Sequence, residues 1–464
     1  MNLCDTLQIR RRDVVALVGG GGKTTAMYRL AQELAQRDWR IISTTTTMIR
    51  PPTTAQTDCL IVSDNLAELV ARAQSALGRC KHVTLASGLQ ESDDKLKGID
   101  PDSAGKLAQL ADVLLIEADG SRGLPIKAPA PYEPVIPAET TLVIPLVGIE
   151  ALGQPLSPQT AHRPELLSSL TGLAIGERID IETYTKLLTQ PEGSLKEIPA
   201  HARVVPMVNK VHDEQALAQA RLIARGVQAH ERVAGVLITA LTEPDPVIEW
   251  WRPTAAIVLA AGGSSRFGSP KQLLRLSGET MLRHIVEVVG TTSACSTLVV
   301  LGNQAESISK SLPPGCRTVV NDQWESGISS SIRVGLDAIL AGESSSAPGR
   351  QTEAVLFVLG DQPCLSRDDV ERIINSGYRS LNKMVAPVHR GSRGNPVLFP
   401  RCFFSALREL SGDSGGRQLF DRFANDVLEV QMSSADVLFD VDTPDDYREY
   451  LSRATEQGPA LDQG

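Results

Sequence analysis

Several features are scarce in this sequence of 464 residues, and each scarcity excludes a class of protein. The seven cysteines are dispersed and form no Cys-x-x-Cys pair, which argues against a disulfide framework or a zinc site and favours reduced thiols. No apolar run is long enough to span a bilayer. The first residues, Met1 to Asp5, lack the apolar core of a signal peptide. We therefore expect a cytoplasmic protein without a membrane segment.

The sequence also has fewer basic than acidic residues. Lysine and arginine total 46 against 55 aspartate and glutamate residues, which gives a formal net charge of −9. Surfaces that bind nucleic acid or anionic membranes need a basic face, so we expect neither partner. A local basic pocket for phosphate groups remains compatible with this charge. Hydrophobic residues make up 42% of the chain and charged residues 22%, as in ordinary globular proteins.

The chain is long enough for two or three domains, and strand-like runs alternate with helical stretches throughout it. This alternation is typical of parallel α/β sheets. Prolines at 244, 246 and 253 disfavour regular structure near residue 250. We predict a first domain at 1–245, a linker at 246–253, a second domain at 254–452 and a flexible tail at 453–464.

The most informative stretch lies between residues 255 and 271. Its apolar run, Ala256 to Leu259, predicts a buried strand. The small residues that follow let the backbone bend and bring its N–H groups close to a guest, while Arg266 and Lys271 supply two cations. The pattern predicts a polyphosphate cradle, and an ordinary glycine-rich turn is the alternative. The predicted nucleotide-binding residues are Leu259, Ala260, Ala261, Gly262, Gly263, Ser264, Arg266 and Lys271.

Two carboxylates are candidates for metal binding. Asp361 follows an apolar run that starts at Ala354, and the carboxyl edge of a parallel sheet is where such folds bind ligands. Mg²⁺ prefers oxygen ligands and substrate phosphates. Asp442 follows a second predicted strand, Val437 to Val441, so the two carboxylates could clamp one Mg²⁺. For Asp442, which precedes Thr-Pro, a helix N-cap is the alternative.

Other polar residues predict a second, anionic substrate. Ser329 belongs to a serine cluster at the mouth of a predicted helix, where free N–H groups attract anions, although helix capping also explains it. Arg390 and Arg393 lie on a glycine-rich turn and could bind the anion, with Asn395 orienting it. An exposed hairpin turn is the alternative for these three residues.

The string L-A-A-G-x-S-x-R-x-G-x-x-K, from Leu259 to Lys271, resembles the signature of nucleotidyltransferases, in which the loop holds a triphosphate. It is followed by Trp324 to Arg333, Gly360 to Pro363, Arg393 to Pro396 and Asp440 to Pro444. In this order the motifs resemble the molybdenum cofactor cytidylyltransferase family (MocA-like) over residues 254–452. The resemblance implies a Rossmann-like three-layer α/β/α domain. It also implies transfer of CMP from CTP to Mo-molybdopterin with release of pyrophosphate.

Under this resemblance the catalytic residues are Arg266, Lys271, Asp361 and Asp442, with Mg²⁺ on Asp361 and Asp442. A guanylyltransferase for the same cofactor is the main rival, and a transferase for a sugar or alditol phosphate is a further one. From another class, a non-catalytic cofactor carrier or chaperone for molybdenum hydroxylases is the rival.

The N-terminal half contains a second phosphate-binding pattern. A predicted strand that begins at Val14 leads into a glycine loop, after which Lys23 and Thr24 open a helix. In such loops the lysine contacts phosphate and the threonine Mg²⁺, although Leu17 stands where a Walker A loop has glycine. Glu117 and Asp119, at the end of another predicted strand, would take Mg²⁺ or position a water. The predicted nucleotide-binding residues are Gly19, Gly20, Gly21, Gly22, Lys23, Thr24, Thr25, Glu117 and Asp119.

Two weaker signals accompany this P-loop-like α/β domain. Thr44 to Thr47 follow a predicted strand, and their role is either packing or nucleotide contact. The segment from Val204 to Asp213 is similar to the guanine-reading Asn-Lys-x-Asp motif with one residue too many. It hints at GTP over ATP, and a turn at a strand end is the alternative.

Gly19 to Thr25, Thr44 to Thr47 and Glu117 to Pro129 together resemble the selenium-dependent hydroxylase accessory family (YqeC-like), over about residues 10–240. This resemblance implies a pathway more than a reaction. Both halves then predict a two-domain maturation factor for molybdenum hydroxylases, with an apo hydroxylase as a possible partner and ATP or GTP at the first domain.

Overall fold

The computed structural model describes residues 1–90, 94–264, 267–276, 278–343, 350–413 and 415–456. The chain forms two compact units: the first comprises residues 1–251 with Arg350, and the second contains the remainder. None of the helices in the described ranges has the length and apolar character needed to cross a bilayer.

The first unit is built on a ten-stranded sheet with two small accessory sheets. Its strands are β1 (Val14–Gly19), β2 (Ile41–Thr45), β3 (Met48–Ile49), β4 (Cys59–Val62), β5 (His82–Ala86), β6 (Gly88–Gln90), β7 (Lys95–Lys97), β8 (Val113–Glu117), β9 (Ile126–Lys127), β10 (Leu142–Gly148), β11 (Ala161–His162), β12 (Arg203–Val204), β13 (Met207–Asn209), β14 (Val236–Thr239) and β15 (Val247–Trp251). Its helices are α1 (Leu3–Thr6), α2 (Lys23–Ala35), α3 (Leu66–Leu77), α4 (Ala104–Ala108), α5 (Pro164–Thr171), α6 (Ile181–Thr189) and α7 (Glu214–Gln228).

Strand β1 lies in the middle of the main sheet, whose order is β15-β14-β13-β10-β1-β8-β2-β5-β4. It pairs in parallel with β8 and with β10. The three strands are almost wholly buried apolar runs, as expected for parallel strands covered on both faces. Their carboxyl ends meet at one edge of the sheet, and the residues after β1 and β8 therefore lie together there.

The predicted linker at 246–253 is wrong over Val247–Trp251, which forms strand β15 antiparallel to β14. Prolines at 244, 246 and 253 flank this strand and leave its own N–H groups free to pair. The side chains of Trp250 and Trp251 are buried, and the Trp251 indole N–H donates to Glu249 at 2.9 Å. Burial of two tryptophans favours inclusion of this segment in the sheet.

The second unit has an eight-stranded sheet of order β20-β19-β16-β21-β24-β22-β23, with β25 beside β22. Its strands are β16 (Thr254–Ala260), β17 (Arg275–Leu276), β18 (Glu279–Thr280), β19 (Ser296–Leu301), β20 (Arg317–Val320), β21 (Ala354–Leu359), β22 (Met384–His389), β23 (Ser392–Arg393), β24 (Val397–Pro400) and β25 (Val427–Gln431). Its helices are α8 (Met281–Gly290), α9 (Ala305–Ser309), α10 (Ile328–Gly342), α11 (Arg367–Tyr378), α12 (Phe404–Arg408), α13 (Arg417–Arg422) and α14 (Pro444–Glu456).

Helices cover both faces of this sheet. Ala255, Ile257 and Leu259 of β16 share a core with residues of α10. The intervening Ala256 and Val258 are also fully buried, and they face the opposite side because side chains alternate along a strand. Helix α8 packs against β16 and β19 as well. The predicted α/β class and the Rossmann-like three-layer arrangement are confirmed.

The predicted strand Val437 to Val441 is wrong. Residues Ala435–Leu438 form a 3-10 helix, which Ser434 caps by accepting the N–H of Asp436. Asp442, four residues after Leu438, leads into α14, whose first residue is Pro444, a position that suits proline. Helix α14 also includes residues 453–456 of the predicted tail, and 457–464 lie outside the described residues.

Candidate functional site

The glycine-rich loop of the second unit follows β16 and is held by a buried glutamine. The side-chain amide of Gln272 donates to the carbonyl oxygens of Ala260 at 3.0 Å and Gly262 at 3.1 Å. Its Oε1 accepts the Ser264 hydroxyl at 3.2 Å. The Lys271 N–H donates to Ser264 Oγ at 3.0 Å. Sequence reasoning missed Gln272, whose only signal is its place directly after Lys271.

Leu259, Ala260 and Ala261 are buried, so they offer main-chain groups to a ligand. Gly263 has a steric role, because a Cβ there would lie 2.8 Å from the Trp324 ring. Arg266 lies outside the described residues, and its predicted contact with phosphate stays a prediction.

Lys271 connects the loop to the two predicted metal ligands. Its Nζ lies 2.7 Å from Asp361 Oδ2 and 2.8 Å from Asp442 Oδ1. Asp361 follows β21, the parallel neighbour of β16, and its carbonyl accepts the Val441 N–H at 2.9 Å. That bond fixes the segment carrying Asp442. Burial opposes the charge on Lys271, yet the two carboxylates outweigh burial and raise its pKa.

The oxygen chemistry of this cluster fits Mg²⁺. Asp361 Oδ1 is buried and accepts no hydrogen bond in the described part of the chain, so it has a lone pair free for a cation. Burial, and then the charges of Asp361 and Asp442, raise the pKa of Asp440 to about 6. Asp440, which accepts the Gln362 amide at 2.8 Å, thus adds a third carboxyl group near the two that pair with Lys271. Across the described ranges no three His, Cys, Asp or Glu residues are grouped to hold a metal, so phosphate oxygens and water would complete its coordination.

A cavity of about 550 Å³ lies beside this sheet edge in the second unit. Its wall is apolar around Leu259 and Phe357, and Arg393, Asn395 and Arg417 contribute polar groups. Arg393 lies over the Phe420 ring at 5.3 Å and pairs with Glu429 at 2.7 Å. Asp413 and Asp421 line it as well, so the cavity combines an apolar wall with charged groups of both signs.

The other two predicted substrate residues lie elsewhere. Arg390 occupies the exposed turn between β22 and β23, and it does not line the cavity. Ser329 is fully buried, and its N–H donates to the Gly412 carbonyl at 3.2 Å. Its hydroxyl has no hydrogen-bond partner among the described residues.

The loop of the first unit, Gly19–Gly22, requires glycine. Gly19, Gly21 and Gly22 have φ values of +93°, +74° and +128°, which other residues rarely adopt. A Cβ at Gly21 would also overlap the backbone of Gly148. The Asn209 amide donates to the Gly21 carbonyl at 2.8 Å and its oxygen accepts the Leu241 N–H at 3.1 Å. Asn209, which the sequence associates with base reading, holds the loop instead.

Lys23 is the first residue of α2, and its Nζ donates to the Gly19 carbonyl at 2.6 Å. It also lies 3.2 Å from Asp119 and 3.8 Å from Glu117. Asp119 accepts the Gly19 N–H at 2.9 Å, and Glu117 accepts the Thr24 hydroxyl at 2.7 Å. Burial raises the pKa of Glu117, although the Lys23 charge and the hydrogen bond from Thr24 favour the ionised form. The loop, Lys23 and the two carboxylates thus form one cluster that is joined by hydrogen bonds and ion pairs.

The other threonines that the sequence singled out in this unit differ in exposure and in hydrogen bonding. Thr25 is exposed on the first turn of α2. Thr44 and Thr45 are buried, and their hydroxyls donate to the carbonyls of Leu85 at 2.8 Å and Glu117 at 2.7 Å. The structure therefore gives Thr44 and Thr45 a packing role.

Comparison with known proteins matches each unit to a different family. A family model described as YqeC protein matches residues 15–165, and one described as MobA-like NTP transferase domain matches residues 256–427. The YqeC protein of Escherichia coli (strain K12) is 33% identical over 225 residues, which are 48% of this chain and 85% of that protein.

The bifunctional protein GlmU of Alkaliphilus metalliredigens (strain QYMF) is 30% identical over 148 residues, 32% of this chain and 30% of GlmU. Among solved structures, an Rv0371c homologue from Mycobacterium sp. strain JC1 superimposes with a TM-score of 0.39 at 28% identity. That match covers 44% of this chain and 98% of the homologue.

Proposed function

The chain belongs to the YqeC protein family and carries a MobA-like NTP transferase domain, and from this premise we propose that it is a molybdenum cofactor cytidylyltransferase fused to a nucleotide-binding accessory unit. The second unit, a nucleotidyltransferase domain, transfers CMP from CTP to Mo-molybdopterin. The first unit binds ATP or GTP and serves the maturation of a molybdenum hydroxylase.

The observation that carries this proposal is the cluster of Lys271, Asp361 and Asp442, which lies at the sheet edge where the parallel strands β16 and β21 end. The loop N–H groups and the Lys271 ammonium hold the triphosphate and neutralise the charge that develops on the leaving pyrophosphate. Asp361 and Asp442 would hold Mg²⁺, which supplies further charge neutralisation when bound.

The reaction needs no covalent nucleophile on the protein. A phosphate oxygen of the second substrate, already ionised, forms a bond to the α-phosphorus of CTP. The bond from that phosphorus to the bridging oxygen breaks, and pyrophosphate leaves with the electron pair. The protein then contributes mainly position and charge.

The cavity beside Arg393 supports a pterin as second substrate. Its apolar wall suits the flat faces of a ring system, and a guanidinium pairs well with phosphate oxygens. Asn395 supplies an amide that can orient polar ring edges.

In the first unit, the glycine loop with its positive φ values, the buried Lys23 and the acidic pair support binding of a nucleoside triphosphate. Thr24, Glu117 and Asp119 supply the oxygen atoms that Mg²⁺ prefers. We assign this unit to cofactor handling or handover to the apo hydroxylase.

The test is pyrophosphate release by the full chain with Mo-molybdopterin, Mg²⁺ and either CTP or GTP. We expect release with CTP alone. Release with GTP alone would assign guanylyl transfer, and release with neither would leave a non-catalytic carrier as the better account.

A further inference from the structure

In the first unit, the segment after Asp119 packs directly on the phosphate loop. The Gly21 N–H donates to the Leu124 carbonyl at 3.0 Å. The Gly148 N–H donates to the Pro125 carbonyl at 2.8 Å. This segment then forms β9, which pairs in parallel with β11 so that Lys127 lies opposite His162. Residues 120–127 and 161–163 are therefore next to the place where a nucleotide's phosphates would bind.

A chain of buried ion pairs extends from the loop into this small sheet. Lys127 Nζ lies 3.0 Å from Asp119 and 2.6 Å from Glu133. The same oxygen of Glu133 accepts Arg163 at 2.6 Å. Two cations thus meet at Glu133, while Asp119 is shared with Lys23. Lys23, Lys127 and Arg163 are thus balanced by Glu117, Asp119 and Glu133, so any further cation at this place adds a net positive charge.

Two further side chains at this place have no hydrogen-bond or ion-pair partner among the described residues. Arg122 is exposed and makes no hydrogen bond or ion pair in the part of the chain that the structure describes. The His162 ring, half-buried, makes none there either. Burial and the charges of Arg163, Lys127 and Arg122 lower the pKa of His162 to about 4. The ring is therefore a neutral N–H donor beside three cations.

We propose that Arg122, His162 and Arg163 form a subsite for an oxyanion, a phosphate or a group of like shape and charge, on a second substrate that binds beside the nucleotide. This rests on the proposed nucleotide site at Gly19–Gly22. Guanidinium groups pair with oxyanions through two parallel hydrogen bonds, and a neutral imidazole adds a donor without competing charge. Lys23 and the loop already serve the nucleotide, so Arg122 and the His162 ring are available to another anion, and Arg163 would bind it beside its existing pair with Glu133.

The test uses inorganic phosphate as the probe. The full chain is saturated with Mg²⁺ and a non-hydrolysable ATP or GTP analogue, and phosphate is titrated by calorimetry. Arg122→Gln should weaken phosphate binding by about 10-fold, since one charge-assisted contact is lost. Arg79→Gln, which alters another exposed arginine of the same unit, should leave the phosphate affinity unchanged.

Equal phosphate affinity in Arg122→Gln and the wild type would overturn the subsite. So would an equal loss of nucleotide affinity in Arg122→Gln, because Arg122 would then contact the nucleotide itself. Failure of the proposed nucleotide site is separate: it would appear as unchanged nucleotide affinity in Lys23→Ala. In that case phosphate is titrated into nucleotide-free protein. Weaker phosphate binding in Arg122→Gln than in Arg79→Gln would still support the subsite, and equal affinities would overturn it.

Discussion

Both units place a lysine between two carboxylates beside a glycine-rich loop, but the two lysines differ in exposure. The Lys23 side chain is 2% exposed, and Glu117 and Asp119 are 8% and 3% exposed. The Lys271 side chain is 15% exposed, beside Asp361 at 21% and Asp442 at 54%. The first site is enclosed and neutralised internally, whereas the second is open to solvent.

The difference follows from how each lysine reaches its loop. Lys23 comes directly after the four glycines and starts α2, so the helix fixes it inside the loop. Lys271 stands in a 3-10 helix several residues beyond its loop, and Gln272 connects the two. An enclosed lysine suits tight retention of a nucleotide. An open one suits a site that must admit two substrates and release pyrophosphate.

The largest effect is expected at the open site. Asp361→Asn keeps the shape of the side chain but removes its negative charge. Asp361 Oδ1 is buried and accepts no hydrogen bond among the described residues, so it is the oxygen we expect to bind the metal. Pyrophosphate release should fall roughly 1000-fold, as for loss of one electrostatic group of an active site. Asp337→Asn is the matched control, because Asp337 is an exposed carboxylate on α10 that pairs with Arg408. Unchanged turnover in Asp361→Asn would refute the metal assignment.

The buried ion pairs next to the enclosed site should make the free energy of unfolding depend on pH. Burial opposes ionisation of Glu133, but hydrogen bonds from Arg163 and Lys127 outweigh it and lower the pKa from 4.5 to about 2. A lowered carboxyl pKa gives stability above pH 4.5 that is lost as pH falls towards 2, about 3 kcal/mol for this shift. Chemical denaturation of the wild type should show this loss, and Glu133→Gln should lose much less on acidification. Parallel pH profiles of the two proteins would contradict the ion-pair account.

A smaller effect separates two arginines of the open site. Arg393 lines the cavity and Arg390 does not. Arg393→Gln should raise the KM for Mo-molybdopterin about 10-fold, because one charge-assisted hydrogen bond to the substrate is lost, and kcat should be nearly unchanged. Arg390→Gln should change it less than two-fold, as expected for an exposed turn. Equal effects in steady-state kinetics would show that the cavity is not the binding place.

Local patterns predicted the central strands and both loops. Val14 to Gly19 and Ala256 to Leu259 are apolar runs followed by glycines, and such runs specify a buried strand and its turn without help from distant residues. Lys271 and Asp361 were also predicted, because their neighbours carry a recognisable motif. The 2.7 Å contact between Lys271 Nζ and Asp361 Oδ2 was not predicted, because Lys271 lies in a 3-10 helix beyond the loop rather than at a strand end.

Most features that the sequence did not predict depend on contacts between residues far apart in the chain. The pairing of Lys127 with His162 depends on strands of two residues each, too short for any periodicity. The bond from Gln272 to Ala260 and the one from Asn209 to Gly21 join segments by single amides. Val437 and its neighbours read as a strand, yet a cap at Ser434 turns them into a 3-10 helix. Tertiary contacts therefore decide the first three cases, whereas the local cap at Ser434 decides the last.

The central claim is that the chain has two separate phosphate sites, and nucleotide-binding stoichiometry tests it most directly. Calorimetry would titrate CTP, ATP and GTP into the full chain, Lys23→Ala and Lys271→Ala. Circular dichroism would verify that both variants are folded. We predict two sites in the wild type, with Lys23→Ala losing only the ATP or GTP site and Lys271→Ala weakening only the CTP site. Loss of both sites in one variant, or of neither in both, would contradict the account.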